Sequence, residues 1–293
     1  MSFKFEPVSI DKQHSYLEHF AACPQKTSDY SFINLWGWAE EYGLYWAWSH
    51  DLVWIKQTIP ELSYWAPIGP WEEVGWNECF DNYFSPATAF NRIPEKLLEL
   101  WKDHCSNRIV AEEARGHWDY LYSVPELIAL KGKQFHKKRN HLNQFLKKYE
   151  FKYALFGAEI INEAMAMQED WCTWRDCESF ESLAAENRTI AKILTNWEKF
   201  EGLTGGAIFV DQKMVAYTVA ESLSEDTLLI HFEKGDQDYR GIYQAINQMF
   251  LEHSGQTFKF VNREQDLNDQ GLRKAKLSYN PVDFLKKYRV TLK

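Results

Sequence analysis

After residue 150 the apolar period of this chain switches repeatedly between two residues and about 3.6, and the order of the switches limits the fold. Residues 151–156 alternate as a strand, and 159–177 and 183–200 carry apolar side chains at helical spacing. Gly205-Gly206 punctuates the chain as a break. Segments 207–210 and 214–222 read as hairpin strands joined at Asp211-Gln212-Lys213. Segment 227–233 is another strand, and the loop 234–240 leads into a helix over 241–253. A strand at 258–262, a helix around 272–277 and an extended segment at 284–292 complete the series. Strand, two helices, three antiparallel strands, helix, strand, helix, strand predicts a layered α/β unit with a mixed sheet.

A boundary precedes this series. Ser123-Val124-Pro125-Glu126 has the capping-box spacing of Ser and Glu, with Pro in the permissive first turn. The helix it opens is expected to run to about Tyr149, with Ile128, Phe135, Leu142, Leu146 and Tyr149 on one stripe. A chain of 293 residues accommodates two domains, and the junction is placed here, giving 1–123 and 124–293. The first part reads as a looser version of the same order. Strands at 45–49 and 52–55 flank a turn at His50-Asp51, a third strand lies at 63–67, and helices occupy 76–84 and 94–104. The two parts differ in chemistry. Residues 1–125 hold 9 Lys+Arg against 18 Asp+Glu, whereas 126–293 hold 24 of each, so the net charge of -9 arises entirely in the first part. Ten of the 13 tryptophans also precede residue 120. A neutral second part with basic clusters admits a polyanionic partner that a uniformly acidic chain would repel.

With 45% hydrophobic residues the chain can bury sizeable cores. No apolar run approaches the roughly 20 residues of a membrane helix, and the N-terminus lacks the pattern of a secretory signal, so a cytoplasmic location is expected. The five cysteines are too scattered for a disulfide framework or a zinc site. Cys172 and Cys177, the closest pair, are expected as thiols, and no metal site is expected.

The element order of the second part resembles that of the GNAT acyltransferase fold. GNAT enzymes hold the coenzyme A pyrophosphate at a helix N-terminus, under a Gln/Arg-x-x-Gly-x-Gly/Ala signature. Here Arg240-Gly241 is kept, but Asp238 replaces the first residue and Tyr243 the last, where close phosphate approach needs a small side chain. A basic run adds further cations. Lys131, Lys133, Lys137, Lys138, Arg139, Lys147 and Lys148 lie within 131–148, with no acidic residue between them. At 100° per residue Lys133, Lys137 and Lys147 point away from the apolar stripe and suit a solvated face. Lys131, Lys138 and Arg139 fall on or beside the stripe and are expected to face a cleft or an anion. On strand 227–233, period two puts Leu229, His231 and Glu233 on one face. His231 and Glu233 are therefore candidates for proton transfer, unless that face meets solvent or a structural partner.

The most specific segment is Phe260-Val261-Asn262-Arg263-Glu264-Gln265-Asp266-Leu267, followed by Gly271-Leu272-Arg273-Lys274-Ala275-Lys276-Leu277-Ser278-Tyr279-Asn280-Pro281. Together with Lys131-Gly132-Lys133 and Arg139-Asn140-His141-Leu142-Asn143, it resembles the phosphatidylglycerol lysyltransferase C-terminal domain family, in its small stand-alone bacterial members. The resemblance implies two tandem GNAT-like domains. It also implies transfer of an acyl or aminoacyl group to an amine or hydroxyl, as larger members transfer from aminoacyl-tRNA to a lipid glycerol. Its matching positions Asn262, Glu264 and Asp266 are candidates for the substrate, and the two carboxylates, two apart in an extended segment, suit an ammonium group. Lys131, Lys133, Lys138, Arg139, Arg240, Gly241, Arg273 and Lys274 are left for a phosphate-bearing donor, either tRNA or acyl-CoA. A small molecule or a lipid is the expected acceptor. A coenzyme A-dependent N-acyltransferase and a non-catalytic protein that binds a charged metabolite or RNA remain the alternatives.

Overall fold

A computed structural model describes residues 3–49 and 51–293; His50, half of the expected turn, lies outside the described residues. In chain order the elements are β1 (Glu6–Pro7), α1 (Gln13–Ala21), α2 (Phe32–Gly37), α3 (Ala39–Tyr42), β2 (Leu44–Ser49), β3 (Leu52–Gln57), β4 (Ser63–Trp65), α4 (Trp76–Tyr83), β5 (Ala89–Pro94), α5 (Glu95–Cys105), β6 (Ile109–Glu113) and β7 (Asp119–Ser123). There follow α6 (Val124–Ala129), α7 (His136–Lys148), β8 (Phe151–Leu155), α8 (Ile161–Trp174), α9 (Glu181–Thr195), β9 (Leu203–Val210), β10 (Lys213–Ser224), β11 (Thr227–Gly235), α10 (Ile242–Phe250), β12 (Phe260–Asn262), α11 (Gln270–Leu277), β13 (Asp283–Leu285) and β14 (Lys287–Leu292). They form two α/β units, each around a mixed sheet.

The first unit comprises the described residues up to Asp119 with Gln265–Asp269 and Phe284–Lys293. Its sheet runs β1-β2-β3-β4-β5-β14-β6. The tryptophans fill its core: Trp46, Trp65, Trp71, Trp76 and Trp101 are fully buried. Trp101 packs edge-on against Trp76, Phe80 and Phe90 at centroid distances of 5.4, 5.2 and 5.2 Å, a geometry the ring quadrupoles favour.

The C-terminal segment 284–293, expected in the second domain, belongs to this first unit. β14 lies between β5 and β6, antiparallel to both. The reason is visible at Lys287, whose side chain is fully buried. Its ammonium donates to Asp29 and, at 2.7 Å, to Asp119. A buried cation is tolerable only where carboxylates wait for it, and the first unit supplies them. Asp29 also pairs with Arg92 and accepts from Gln265 at 2.8 Å.

The second unit comprises Tyr120–Glu264 and Gln270–Asp283. Its sheet follows the order β13-β7-β12-β11-β10-β9-β8. Within it β11 and β12 run parallel, from Thr227–Phe260 to Leu229–Asn262. The β9–β10 hairpin turns at Asp211 and Gln212, both left-handed, as a two-residue turn requires.

Three local expectations are corrected. The helix beginning at the Ser123 cap is not continuous to Tyr149. The cap forms, with Ser123 Oγ accepting from the Glu126 amide, but α6 ends at Leu130 in the left-handed region (φ 45°), and Gly132 (φ 89°) turns the chain before α7. Gly205-Gly206 lies inside β9 and does not break it. A Cβ at Gly205 would stand 2.4 Å from the Thr218 carbonyl oxygen, and one at Gly206 would stand 2.2 Å from the Tyr153 hydroxyl. Cys172 and Cys177 are disulfide-bonded, because α8 ends and Asp176 (φ 52°) folds the chain back.

Candidate functional site

Beyond Leu229 and Asn262 the parallel ladder stops, and the chemistry of the second unit gathers there. The decisive local event is a bulge in β11. Val219 of β10 pairs with Phe232 and Ala220 with Ile230, so His231 is the extra residue between them. An inserted residue exchanges the faces of everything beyond it. His231 and Glu233, expected on one face, therefore serve opposite sides of the sheet.

On one side His231 is fully buried between two carboxylates. Its Nε2 donates to Glu221 at 2.9 Å and its Nδ1 to Glu264 at 3.1 Å. Burial disfavours the charged ring, but the two carboxylates outweigh it and raise the pKa to about 9. The two carboxylates favour the imidazolium form, and both ring nitrogens are engaged by them. Glu264 is left-handed (φ 56°), and its amide donates to Asn262 Oδ1 at 2.8 Å. Asn262 is fully buried and shapes this turn. On the same side, Lys234 pairs with Glu186 of α9 at 2.8 Å over the Trp171 ring.

On the other side Glu233 accepts from Arg263 Nη2 at 2.7 Å and from Asn247 Nδ2 of α10 at 2.9 Å. Both carboxylate oxygens are committed, so Glu233 orients an arginine and is not poised as a base. Arg263 lies over the rings of Tyr279 and Tyr122, 4.7 and 5.7 Å from their centroids. Its Nη1 is buried and makes no well-aligned hydrogen bond among the described residues, the Tyr279 hydroxyl being the polar group that favours its charge alongside Glu233. The Lys138 ammonium lies 3.8 Å from the centroid of the same Tyr279 ring, and the Tyr279 hydroxyl accepts from Gln244 at 3.0 Å.

Next to this cluster a cavity of about 320 Å³ opens at the start of α10, lined by Lys138, His141, Arg240, Gly241, Tyr243 and Gln244 among others. Gly241 (φ 93°) is required by packing: a Cβ there would meet the His141 carbonyl oxygen of α7 at 2.1 Å. Its glycine thus brings α7 against the α10 N-terminus and sets the cavity wall, which a phosphate-contact role alone would not demand. Tyr243 accepts from Trp171 Nε1 at 3.2 Å, so its bulk is built into the unit.

The remaining expected residues scatter. Arg139 donates to the carbonyls of Leu130 and Gly132 and closes the break after α6, so its guanidinium already has a structural partner. Lys131, Lys133 and Lys274 are exposed and Arg273 is half-buried. Asp266 belongs to the first unit. Its carboxylate is fully buried, paired with Arg115 at 3.2 Å and accepting from the Asn268 amide at 2.9 Å. The three carboxylates Glu233, Glu264 and Asp266 do not form the expected ammonium-and-base arrangement, since Glu233 and Glu264 serve opposite faces. Arg263 and Tyr279 were missed as site residues, although both stand in the segments singled out. The available signal was internal: Asn91-Arg92 and Asn262-Arg263 repeat the same pair, each where a parallel ladder ends.

A family model for phosphatidylglycerol lysyltransferase, C-terminal, matches residues 20–291. An uncharacterized protein of Mycoplasmoides gallisepticum is 30% identical over 199 residues, which cover 66% of this chain and 61% of that relative. The crystal structure of a conserved protein of unknown function from Bacteroides thetaiotaomicron is 29% identical with a TM-score of 0.88, covering 99% of this chain and 100% of its own. The structure of L-PGS from Bacillus licheniformis shares the fold at 14% identity, with a TM-score of 0.64 over 98% of this chain and 92% of its own. No helix among the described residues is long and apolar enough to cross a membrane. The chain belongs to the phosphatidylglycerol lysyltransferase C-terminal family.

Proposed function

We propose that this member of the phosphatidylglycerol lysyltransferase C-terminal family transfers an aminoacyl group from aminoacyl-tRNA to an amine or hydroxyl, in the second unit. The observation that carries the reading is the cavity at the start of α10, beside a buried Arg263 N–H that makes no well-aligned hydrogen bond. Buried donors without a good partner are rare in folded proteins, and an oxyanion formed at an acyl carbon would satisfy this one. Glu233 and Asn247 would hold the guanidinium in place while it does so. The positive end of α10, with Arg240, would receive a phosphate of the donor. Lys131, Lys133, Arg273 and Lys274 would make outlying contacts to the tRNA backbone. The ester C–O bond would break as the new C–N or C–O bond forms, releasing the ribose hydroxyl.

Tyr243 occupies the place where a coenzyme A pyrophosphate needs a small residue, which favours tRNA over acyl-CoA. The acceptor is left as an amine or hydroxyl, a phosphatidylglycerol headgroup among them. The test is a panel of radiolabelled aminoacyl-tRNAs, each incubated with the full chain and either phosphatidylglycerol vesicles or small amines, with acetyl-CoA in parallel. Enzyme-dependent transfer from at least one aminoacyl-tRNA supports the reading. Transfer from acetyl-CoA alone would replace the donor, and ligand retention without turnover would favour a binding protein.

A further inference from the structure

Lys138 differs from Lys234 and Lys276, two other buried or half-buried lysines of the second unit. Lys234 is ion-paired with Glu186, and Lys276 donates to the backbone carbonyls of Arg263 and Glu264. Lys138 is half-buried on α7, lines the cavity, and forms no ion pair or hydrogen bond among the described residues; its ammonium lies over the Tyr279 ring. Glu233, the carboxylate whose charge acts on it, is already committed to Arg263 and Asn247.

We propose that Lys138 is the proton acceptor of this cavity, its neutral amine taking the proton from the nucleophile that attacks the acyl carbon. The inference rests on the transferase reading above. As the nucleophile forms its bond to the carbonyl carbon, its proton moves to the Lys138 Nζ lone pair. As the ester C–O bond breaks, the resulting ammonium returns that proton to the departing ribose oxygen. The sequence is balanced and leaves Lys138 neutral for the next turn.

The surroundings support a lysine that exchanges protons near neutrality. Burial disfavours its ammonium, the Arg263 charge repels it, and Glu233 opposes them only in part; together they lower its pKa to about 8. The aromatic face of Tyr279 would offer a weak cation site without a proton acceptor. The other charged or titratable groups facing the cavity are His141 on α7 and Tyr239, Arg240 and Tyr243 on the opposite wall. His141 is the imidazole among them and so the rival proton acceptor.

A lysine that merely binds phosphate and a lysine that moves a proton part company on replacement by arginine, which keeps the charge but does not titrate. The first experiment needs no turnover. The full chain is labelled with [ε-13C]lysine, titrated by NMR from pH 6 to 11, and the Lys138 signal is assigned with Lys138→Gln. A midpoint near 8 is expected, and a midpoint above 10 overturns the proposal. The second measures aminoacyl transfer to hydroxylamine from a mixed pool of aminoacyl-tRNAs. Lys138→Arg is expected to lose roughly 100-fold in kcat with the KM for tRNA little changed. The wild-type rate is expected to rise through about pH 8, and that limb stays in place in His141→Gln but disappears in Lys138→Arg. Near-wild-type turnover in an active Lys138→Arg enzyme overturns the proposal alone. A wild type inert toward every aminoacyl-tRNA brings down the transferase reading, and the proton-acceptor role with it, even when Lys138 titrates near 8.

Discussion

The two units place an arginine at the same point and use it differently. In the first, the parallel pair β4–β5 runs from Tyr64–Phe90 to Trp65–Asn91, and Arg92 follows. In the second, β11–β12 ends at Leu229–Asn262, and Arg263 follows. Each guanidinium pairs with a carboxylate, Asp29 or Glu233, and each lies over two aromatic rings. The difference is what surrounds the pair. Arg92 and Asp29 are sealed by Lys287, Gln265 and the rings of Trp65 and Tyr42. Arg263 keeps a buried N–H without a well-aligned hydrogen bond beside Lys138 and an open cavity. One frame thus yields a structural lock when its charges are fully paired and a candidate site when one donor is left without a good partner.

The largest expected effect strikes the lock. Lys287→Met takes the ammonium from buried Asp119 and leaves Asp29 with Arg92 alone, which costs about 3–5 kcal/mol for a broken buried pair. Urea unfolding should show a correspondingly lower midpoint; a loss under about 1 kcal/mol would mean that the first unit is not sealed as described. Arg263→Lys should instead spare most of the stability and lower kcat by roughly 10²–10³, the cost of one oxyanion donor. A comparable rate loss in Arg92→Lys, at unchanged stability, would erase the distinction between the units.

The two units should also respond to pH in opposite senses. Burial, aided by the Arg92 charge, lowers His117 of the first unit to about 4. Its contribution is full above the ordinary value near 6.5 and is lost as the pH falls toward 4. His231 of the second unit, raised to about 9, contributes fully below 6.5 and loses that contribution as the pH rises through 9. Each shift is worth up to about 3 kcal/mol at 1.36 kcal/mol per unit. Hydrogen exchange resolved by peptide should therefore loosen the first sheet on acidification and the second on alkalinisation. Loosening of both at the same end of the range would contradict these assignments.

Much of the second unit was legible in the sequence because its signals are local. The Ser123 cap, the Asp211-Gln212 turn and the run of strands and helices need only neighbouring residues to be read. The faces of β11 were not legible. Period two assigns a face only while every residue is paired, and the bulge at His231 depends on β10, a separate stretch of chain. β14 was misassigned for a similar reason. Its alternation announces a strand but not its sheet, which is settled by distant carboxylates waiting for Lys287. Gly132 did mark the break after α6, and the helical stripe that continues across it masked the signal.

The smallest effects belong to the outlying cations. Replacing Lys131, Lys133 or Lys274 with Gln should change stability by less than about 0.5 kcal/mol, yet each lost phosphate contact should reduce the salt slope of tRNA binding by about one. An unchanged slope in all three would move the tRNA path elsewhere on the molecule.

The central claim, that the second unit holds the working site while the first is sealed, is tested most directly by hydrogen–deuterium exchange of the full chain with and without an aminoacyl-tRNA pool at low salt. The account predicts slowed exchange in α7 and in residues 236–246, with residues 28–42 and 89–94 unchanged. Protection confined to the segments around Asp29 and Arg92, with none at the start of α10, would contradict it.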